Sequence, residues 1–163
     1  MSLARAGALL GNAATTSFWD LAMAKSTPKN DPAGVRTRLK AAGLRSTRQR
    51  VALANLLFQH GQRHLTAESL YAEAVEAGIS VSLATVYNTL NQFTEAGMLR
   101  QVAVVAERSY FDTNAGSHQH FYIEGDRTLM DIPDDMIAMA SVPSPPKGTA
   151  IDRIDVVIRV RRT

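Results

Sequence analysis

The chain has 163 residues, of which 45% are hydrophobic and 20% are charged, a composition that suits one ordinary soluble domain or two small ones. It contains no cysteine, which excludes disulfides, a cysteine nucleophile and a structural zinc held by four cysteines. Any bound metal must therefore be held by imidazole and carboxylate groups, which suit iron, manganese or zinc. No apolar run is long enough to span a membrane, so we expect a cytoplasmic protein without a membrane partner.

The net charge of +3 is unevenly distributed along the chain. Residues 32–67 contain no acid, and their basic side chains are Arg36, Arg38, Lys40, Arg45, Arg48, Arg50 and Arg63. Between Glu107 and Asp135 the acids are opposed only by Arg108 and Arg127. The basic part indicates a polyanion partner, and the acidic part, which holds two histidines, indicates a cation. Charge alone is more often the mark of a solvated helix face.

Residues 1–31 are predicted to form a flexible tail, because they show few periodic apolar positions. A secretory signal is disfavoured, since polar residues interrupt the apolar stretch. Four helices follow, each marked by capping or helix-ending residues. They lie in "PAGVRTRLKAAG", "STRQRVALANLLFQHG", "LTAESLYAEAVEAG" and "SVSLATVYNTLNQFTEAG". In the fourth helix Ser82 is the predicted N-cap, and Val86, Leu90 and Phe93 form one buried stripe.

The hydrophobic period changes from helical to β after Gly97. "MLRQVAVV" and "RSYFDT" predict a hairpin connected by Ala106 and Glu107, and "HFYIEGDRTLMDI" predicts a second hairpin. A short helix is expected over Asp134–Ala140, and "AIDRIDVVIRVRR" predicts a final strand. Helices followed by hairpins predict an α+β fold that begins with a winged helix-turn-helix domain.

The fourth helix has the features of a DNA recognition helix. Its N-terminal end presents small or polar side chains that suit a major groove: Ser82, Ala84, Thr85, Tyr87 and Asn88. Threonine and alanine can contact a thymine methyl, and asparagine can pair with adenine. Arg45 and Arg48, assisted by Lys40 and Arg50, would supply phosphate contacts. A plain helical bundle with a basic face is the alternative.

His118 and His120 lie two residues apart, where the second hairpin begins. On a strand such side chains share one face, with origins about 6.5–7 Å apart, so both imidazoles can converge on one ion. Asp112 lies shortly before them and Asp131 lies on the strand predicted to pair with them. These acids can complete a ligand set. Two ordinary surface histidines are the alternative.

Three segments together resemble the Fur family of metal-responsive repressors, and its Irr (iron response regulator) branch most closely. They are "TRQRVALANLLFQHGQRHLTAESLYAEA", "VSLATVYNTLNQFTEAGMLRQV" and "SYFDTNAGSHQHFYIE". The resemblance implies a homodimer, or a larger oligomer, of chains with two domains. These are a winged-helix DNA-binding domain over residues 32–112 and a small α/β dimerisation and sensing domain over 118–163, joined by a hinge at 113–117.

The resemblance also implies roles for individual residues. Tyr87 is implied as a DNA contact, whereas Asn88 stands where many relatives have arginine, which separates this chain from their operator preferences. A regulatory site for iron or manganese, with zinc as a further candidate, is implied at His64, Asp112, His118, His120 and Asp131. The Irr branch adds haem as a candidate ligand of His118 and His120. Gln119 interrupts the triple histidine often found there, so metal is the safer prediction.

We therefore expect a transcriptional regulator, not an enzyme, that binds an AT-rich double-stranded operator; the resemblance is to repressors, and activation is the alternative. It would control iron and haem homeostasis genes in response to metal or haem. A haem-binding module and a metal-dependent hydrolase, both without DNA binding, are the alternatives. The hydrolase is disfavoured because no separate general base or oxyanion group accompanies the histidines.

Overall fold

The computed structural model describes residues 32–105 and 108–163. The helices in these ranges are α1 (Pro32–Ala41), α2 (Arg48–Phe58), α3 (Ala67–Glu76) and α4 (Leu83–Glu95). The strands are β1 (His64–Leu65), β2 (Arg100–Val105), β3 (Arg108–Asp112), β4 (Gln119–Ile123), β5 (Thr128–Ile132) and β6 (Val157–Val160). The predicted tail and the connection at Ala106 and Glu107 lie outside the described residues. The predicted α+β class is confirmed.

The helices begin at the capping residues that the sequence indicates. Thr47 caps α2, and Ser82 caps α4 by accepting a hydrogen bond from the backbone N–H of Thr85. Thr66 and Ser69 form a capping box at the start of α3. Each cap gives a partner to a backbone N–H that would otherwise lack one, and it stabilises the helix by about 1 kcal/mol. The start of α4 is thereby fixed in place.

One hydrophobic core joins the four helices to the first sheet. The predicted stripe of Val86, Leu90 and Phe93 on α4 is fully buried in it, together with Leu53 of α2 and Leu70 of α3. Burial of apolar side chains of this size contributes about 1.5–3 kcal/mol each. Because this stripe faces inward, the opposite side of α4 faces solvent.

The first sheet is antiparallel, with strand order β1–β3–β2. It contains the predicted hairpin of β2 and β3. The strand β1 was not predicted, because two residues carry too little periodicity to be recognised. It pairs His64 with Asp112 and Leu65 with Phe111. This pairing brings a residue from the loop between α2 and α3 next to the end of β3.

The second sheet has strand order β5–β4–β6, and it confirms the second predicted hairpin. The last strand, β6, runs parallel to β4 and pairs only with His120–Ile123. It is therefore shorter than the predicted "AIDRIDVVIRVRR". The short helix expected over Asp134–Ala140 is wrong in extent: it is one 3-10 turn, Asp134–Met136, after which Ile137 is extended.

A second, smaller hydrophobic core connects the two sheets. Val102 and Tyr110 of the first sheet pack with Tyr122 and Leu129 of the second. The rings of Tyr110 and Tyr122 meet edge to face with centroids 6.0 Å apart, a favourable aromatic arrangement. The two sheets are thereby held side by side, with β1 against β5. Within the described part of the chain, no helix has the length and apolar character needed to cross a membrane.

Candidate metal centre and the exposed face of α4

Five side chains predicted as metal ligands meet between the two sheets. Each contributes one nitrogen or oxygen atom, and these five atoms all lie within 4.8 Å of one another. The residues are His64, Asp112, His118, His120 and Asp131. Strand pairing explains the convergence: His64 is the partner of Asp112, and His120 is the partner of Asp131. His118 lies just before β4, two residues from His120, as the spacing required.

Asp112 lies at the centre of this cluster, and its side chain is fully buried. Its Oδ2 is 2.8 Å from His118 Nε2, 3.2 Å from His120 Nε2 and 3.4 Å from His64 Nε2. Asp131 Oδ1 lies 2.8 Å from His64 Nε2 and 3.3 Å from His118 Nε2. All three histidines therefore direct Nε2 toward the same two carboxylates.

The cluster holds buried polar atoms whose neighbours are close but badly oriented for hydrogen bonds. Among the described residues, His64 Nε2, His118 Nε2 and Asp131 Oδ1 are buried without a hydrogen bond of acceptable geometry. A divalent ion between the three imidazoles and two carboxylates would satisfy all of them. Mixed nitrogen and oxygen ligands suit iron, manganese or zinc, so the residues fit the predicted metal.

Opposite charges hold the five side chains of the cluster together. Burial lowers the pKa of His64, but contact with Asp112 and Asp131 outweighs this and raises it to about 9. The same two carboxylates raise the pKa of His118 to about 10, against the effect of burial. Burial would raise the pKa of Asp112, yet the neighbouring histidines hold it well below its usual range. A metal ion binds neutral imidazole, so it has to displace protons from this cluster.

Neighbouring groups orient two of the candidate ligands. His118 Nδ1 lies 2.9 Å from the carbonyl oxygen of Gly116, so an Nδ1–H donates to that oxygen and Nε2 faces the cluster. Asp112 Oδ1 accepts a hydrogen bond of 2.8 Å from the backbone N–H of Asn114. Its other oxygen is left for the histidines. Such outer contacts are the usual means of fixing the tautomer and orientation of metal ligands.

Gln119 faces away from the histidines that flank it, as alternation along a strand requires. Its Oε1 accepts a hydrogen bond of 2.7 Å from the backbone N–H of Val156, just before β6. A histidine at this position would be directed away from the cluster. His118 and His120 are 5% and 0% exposed, which suits a small ion better than a haem group. Haem ligation therefore stays a prediction without further support.

The side chains predicted to contact DNA lie at the solvent-facing surface. Those exposed are Arg45, Arg48, Ser82, Ala84, Tyr87 and Asn88, and Thr85 is half-buried. The Ser82 and Thr85 hydroxyl oxygens lie 2.9 Å apart within the helix cap, so both residues also have a structural role. Arg50 is already engaged: its Nε donates to Gln92 Oε1 at 3.1 Å and its Nη1 to the Arg45 carbonyl at 3.0 Å. It braces α2 against α4.

Tyr87 has a hydrogen-bond partner that the sequence does not predict. The Tyr87 hydroxyl donates a hydrogen bond to Glu68 Oε1, and this bond lowers the pKa of the Glu68 carboxyl group. From the sequence alone, Glu68 is an acid in the first turn of α3, where it complements the helix dipole. No local pattern connects two residues on different helices, so only the packing of α3 against α4 reveals the contact.

Comparison with known proteins gives the class of the protein. Residues 41–144 match the Ferric uptake regulator family. The chain is 34% identical over 102 residues to the ferric uptake regulation protein of Shigella flexneri, an alignment that covers 62% of this chain and 69% of that protein. The class is that of metal-responsive transcriptional regulators of iron homeostasis, which are not enzymes.

Solved structures agree with this class. The ferric uptake regulator of Pseudomonas aeruginosa with manganese has a TM-score of 0.60 and 27% identity, covering 78% of this chain and 96% of that one. The Vibrio cholerae ferric uptake regulator has a TM-score of 0.62 at 24% identity, covering 78% and 98%, a likeness in fold. The chain belongs to the ferric uptake regulator family. The family resemblance is confirmed, while the closeness to the Irr branch stays a prediction.

Proposed function

We propose that this protein is a repressor that binds operator DNA when a divalent metal, iron or manganese before zinc, occupies the five-residue cluster. The observation that carries the proposal is the convergence of His64 and Asp112, from the first sheet, with His118, His120 and Asp131 around the second sheet. An ion bound by both groups of residues favours one arrangement of the two sheets. Metal then shifts the protein toward the arrangement that fits DNA.

We assign residues 32–112 to a winged-helix DNA-binding domain, 113–117 to a hinge and 118–163 to a dimerisation and sensing domain. The order of α2, α3 and α4 followed by the antiparallel hairpin of β2 and β3 supports this division. A homodimer would present two α4 helices about 34–36 Å apart, one turn of DNA. Exposed apolar side chains in the last part of the chain, at Met136, Met139, Val142 and Ile151, support a partner surface there.

In this proposal α4 is the recognition helix and acts in the cytoplasm on an AT-rich operator. Tyr87 and Asn88 are assigned to base edges, together with the small side chains at Ala84 and Thr85. Arg45 and Arg48 are assigned to phosphates on the flanking backbone. Phosphate contacts supply affinity and position the protein, whereas base contacts supply the sequence preference.

The test is a DNA-binding titration of the full chain with Mn²⁺, with haem and with neither, at several salt concentrations. We expect Mn²⁺ to tighten binding to an AT-rich palindrome by about 5–150-fold, the usual size of coupling between two sites. Equal affinity with and without Mn²⁺ would contradict the proposed corepressor role. If haem changes the DNA affinity and Mn²⁺ does not, haem is the signal, as the Irr resemblance implies. Absence of any sequence preference at moderate salt would contradict the assignment of α4.

Asn88→Ala is expected to weaken binding to the preferred operator by about 1–3 kcal/mol, because a side chain that pairs with adenine is lost. It should also relax the preference for one A·T pair. Asn91→Ala is the matched control, since Asn91 is exposed on the same helix one turn further from its N-terminal end. Operator variants scanned by fluorescence anisotropy measure both effects. Equal base preferences for the Asn88 and Asn91 variants would show that Asn88 does not read the operator.

A further inference from the structure

Arg100 is a buried cation that the proposed metal cluster does not use. It begins β2 and is 4% exposed, and its backbone is paired with that of Asp112. Its Nη1 donates to the carbonyl oxygens of Gly116 at 2.9 Å and His118 at 3.0 Å. Its Nη2 forms an ion pair with Asp155. A buried charge is tolerated only with such partners, so the position of this guanidinium is closely defined.

The Gly116 carbonyl oxygen connects Arg100 to a candidate metal ligand. That oxygen lies 2.9 Å from Arg100 Nη1 and also 2.9 Å from His118 Nδ1. Two donors therefore share one acceptor, and the arginine holds the carbonyl in the place where the imidazole N–H meets it. With Nδ1 protonated and fixed, His118 presents Nε2 to the cluster. Outer contacts of this kind typically change metal affinity by about 10–100-fold when removed.

Arg100 also connects three separate segments of the chain. Its backbone belongs to the sheet of His64 and Asp112, its Nη1 holds the segment of Gly116 and His118, and its Nη2 holds Asp155. Asp155 immediately precedes Val156, whose N–H bonds to Gln119 and whose carbonyl accepts from the His120 N–H. The residues that would hold the metal are thus tied to the β2–β3 hairpin by one side chain.

We infer that Arg100 is a positioning residue for metal binding: it orients His118 through the Gly116 carbonyl and links the β2–β3 hairpin to the sensing segment. This inference rests on the proposed function. Lysine cannot replace arginine here, because an ammonium group lacks the planar fork that reaches two carbonyls and a carboxylate together. Arg100→Lys therefore keeps the charge and removes the geometry.

The experiment compares full-length wild type with Arg100→Lys and Arg153→Lys. Arg153 is the matched control, since it also pairs with Asp155, through Oδ2 at 2.8 Å, from a half-exposed position. Co²⁺ affinity is measured by visible absorption, and exchange of the His118 Nδ1–H with water is measured by NMR in Zn²⁺-loaded protein. For Arg100→Lys we expect about tenfold weaker Co²⁺ binding and clearly faster exchange of that proton. For Arg153→Lys we expect neither change.

The outcomes separate the inference from the function on which it rests. Wild type that binds no Co²⁺ would refute the proposed metal function and the inference with it. Wild type that binds Co²⁺ while Arg100→Lys matches it in affinity would overturn the inference alone. Weaker Co²⁺ binding with an unchanged exchange rate of the His118 Nδ1–H would also overturn the inference. Arg100 would then affect metal binding through the stability of the fold and not through His118. If Arg100→Lys does not fold, Asp155→Asn replaces it, since this variant leaves the Arg100 guanidinium with a neutral acceptor. Both Co²⁺ affinity and exchange of the His118 Nδ1–H should then change in the same directions, but less. No change in either quantity would overturn the inference.

Discussion

Asp112→Asn is expected to lower the free energy of unfolding of the metal-free protein by about 3 kcal/mol, as when one partner of a buried ion pair is removed. The carboxylate is fully buried and lies within 3.4 Å of Nε2 of each of three histidines. An amide of nearly equal shape keeps the packing but leaves the charged His64 and His118 with Asp131 alone. Urea unfolding at neutral pH measures the change.

Two further measurements make this prediction specific. Asp126→Asn, which removes an exposed pair with Arg162, should leave the stability nearly unchanged, because solvent screens exposed ion pairs. Mn²⁺ should raise the melting temperature of the wild type, because a ligand that binds only the folded state stabilises it. It should leave that of Asp112→Asn nearly unchanged. Equal stabilities of the two aspartate variants would contradict the account of Asp112 as the electrostatic centre of the cluster.

The paired substitution His118→Gln with His120→Gln is expected to weaken Mn²⁺ binding by roughly 100-fold or more, since even outer contacts are worth about 10–100-fold. Glutamine has a similar size and can still hydrogen-bond to Asp112, so the fold should be retained. With two of the five candidate ligands removed, DNA affinity should no longer respond to Mn²⁺. Calorimetric metal titration and the DNA-binding titration measure the two effects.

His60→Gln is the matched control, because His60 is exposed at the end of α2 and outside the cluster. It should keep wild-type metal affinity and metal-dependent DNA binding. A doubly substituted protein that still responds to Mn²⁺ would place the regulatory metal elsewhere. The same variant tests haem: an unchanged Soret band and haem affinity would remove His118 and His120 from consideration as haem ligands.

Features carried by short stretches of sequence were predictable. The buried stripe of Val86, Leu90 and Phe93 follows from helical periodicity, and the cap at Ser82 follows from its side-chain chemistry. The shared direction of His118 and His120 follows from the two-residue period of a strand. The sequence around His64, "RHLTAE", carries no local sign that this residue is a metal ligand. Only the family resemblance added it to the candidate ligands.

Features that depend on register between distant segments were not predictable. The pairing of His64 with Asp112 is made by a strand of two residues, and no pattern in either segment specifies the other. Arg100 resembles any basic residue at the start of a strand, and only its burial against two carbonyls distinguishes it. The role of Gln119 depends on β6 running parallel to β4, a long-range pairing that a period of two does not define.

The five candidate ligands come from both sides of residues 113–117. A cut within these residues leaves His64 and Asp112 on one fragment and His118, His120 and Asp131 on the other. Neither fragment keeps the full coordination set, even if each folds. Exchange of residues 32–112, the proposed DNA-binding domain, between relatives would therefore also exchange two of the candidate ligands. We expect such an exchange to change metal preference together with DNA preference.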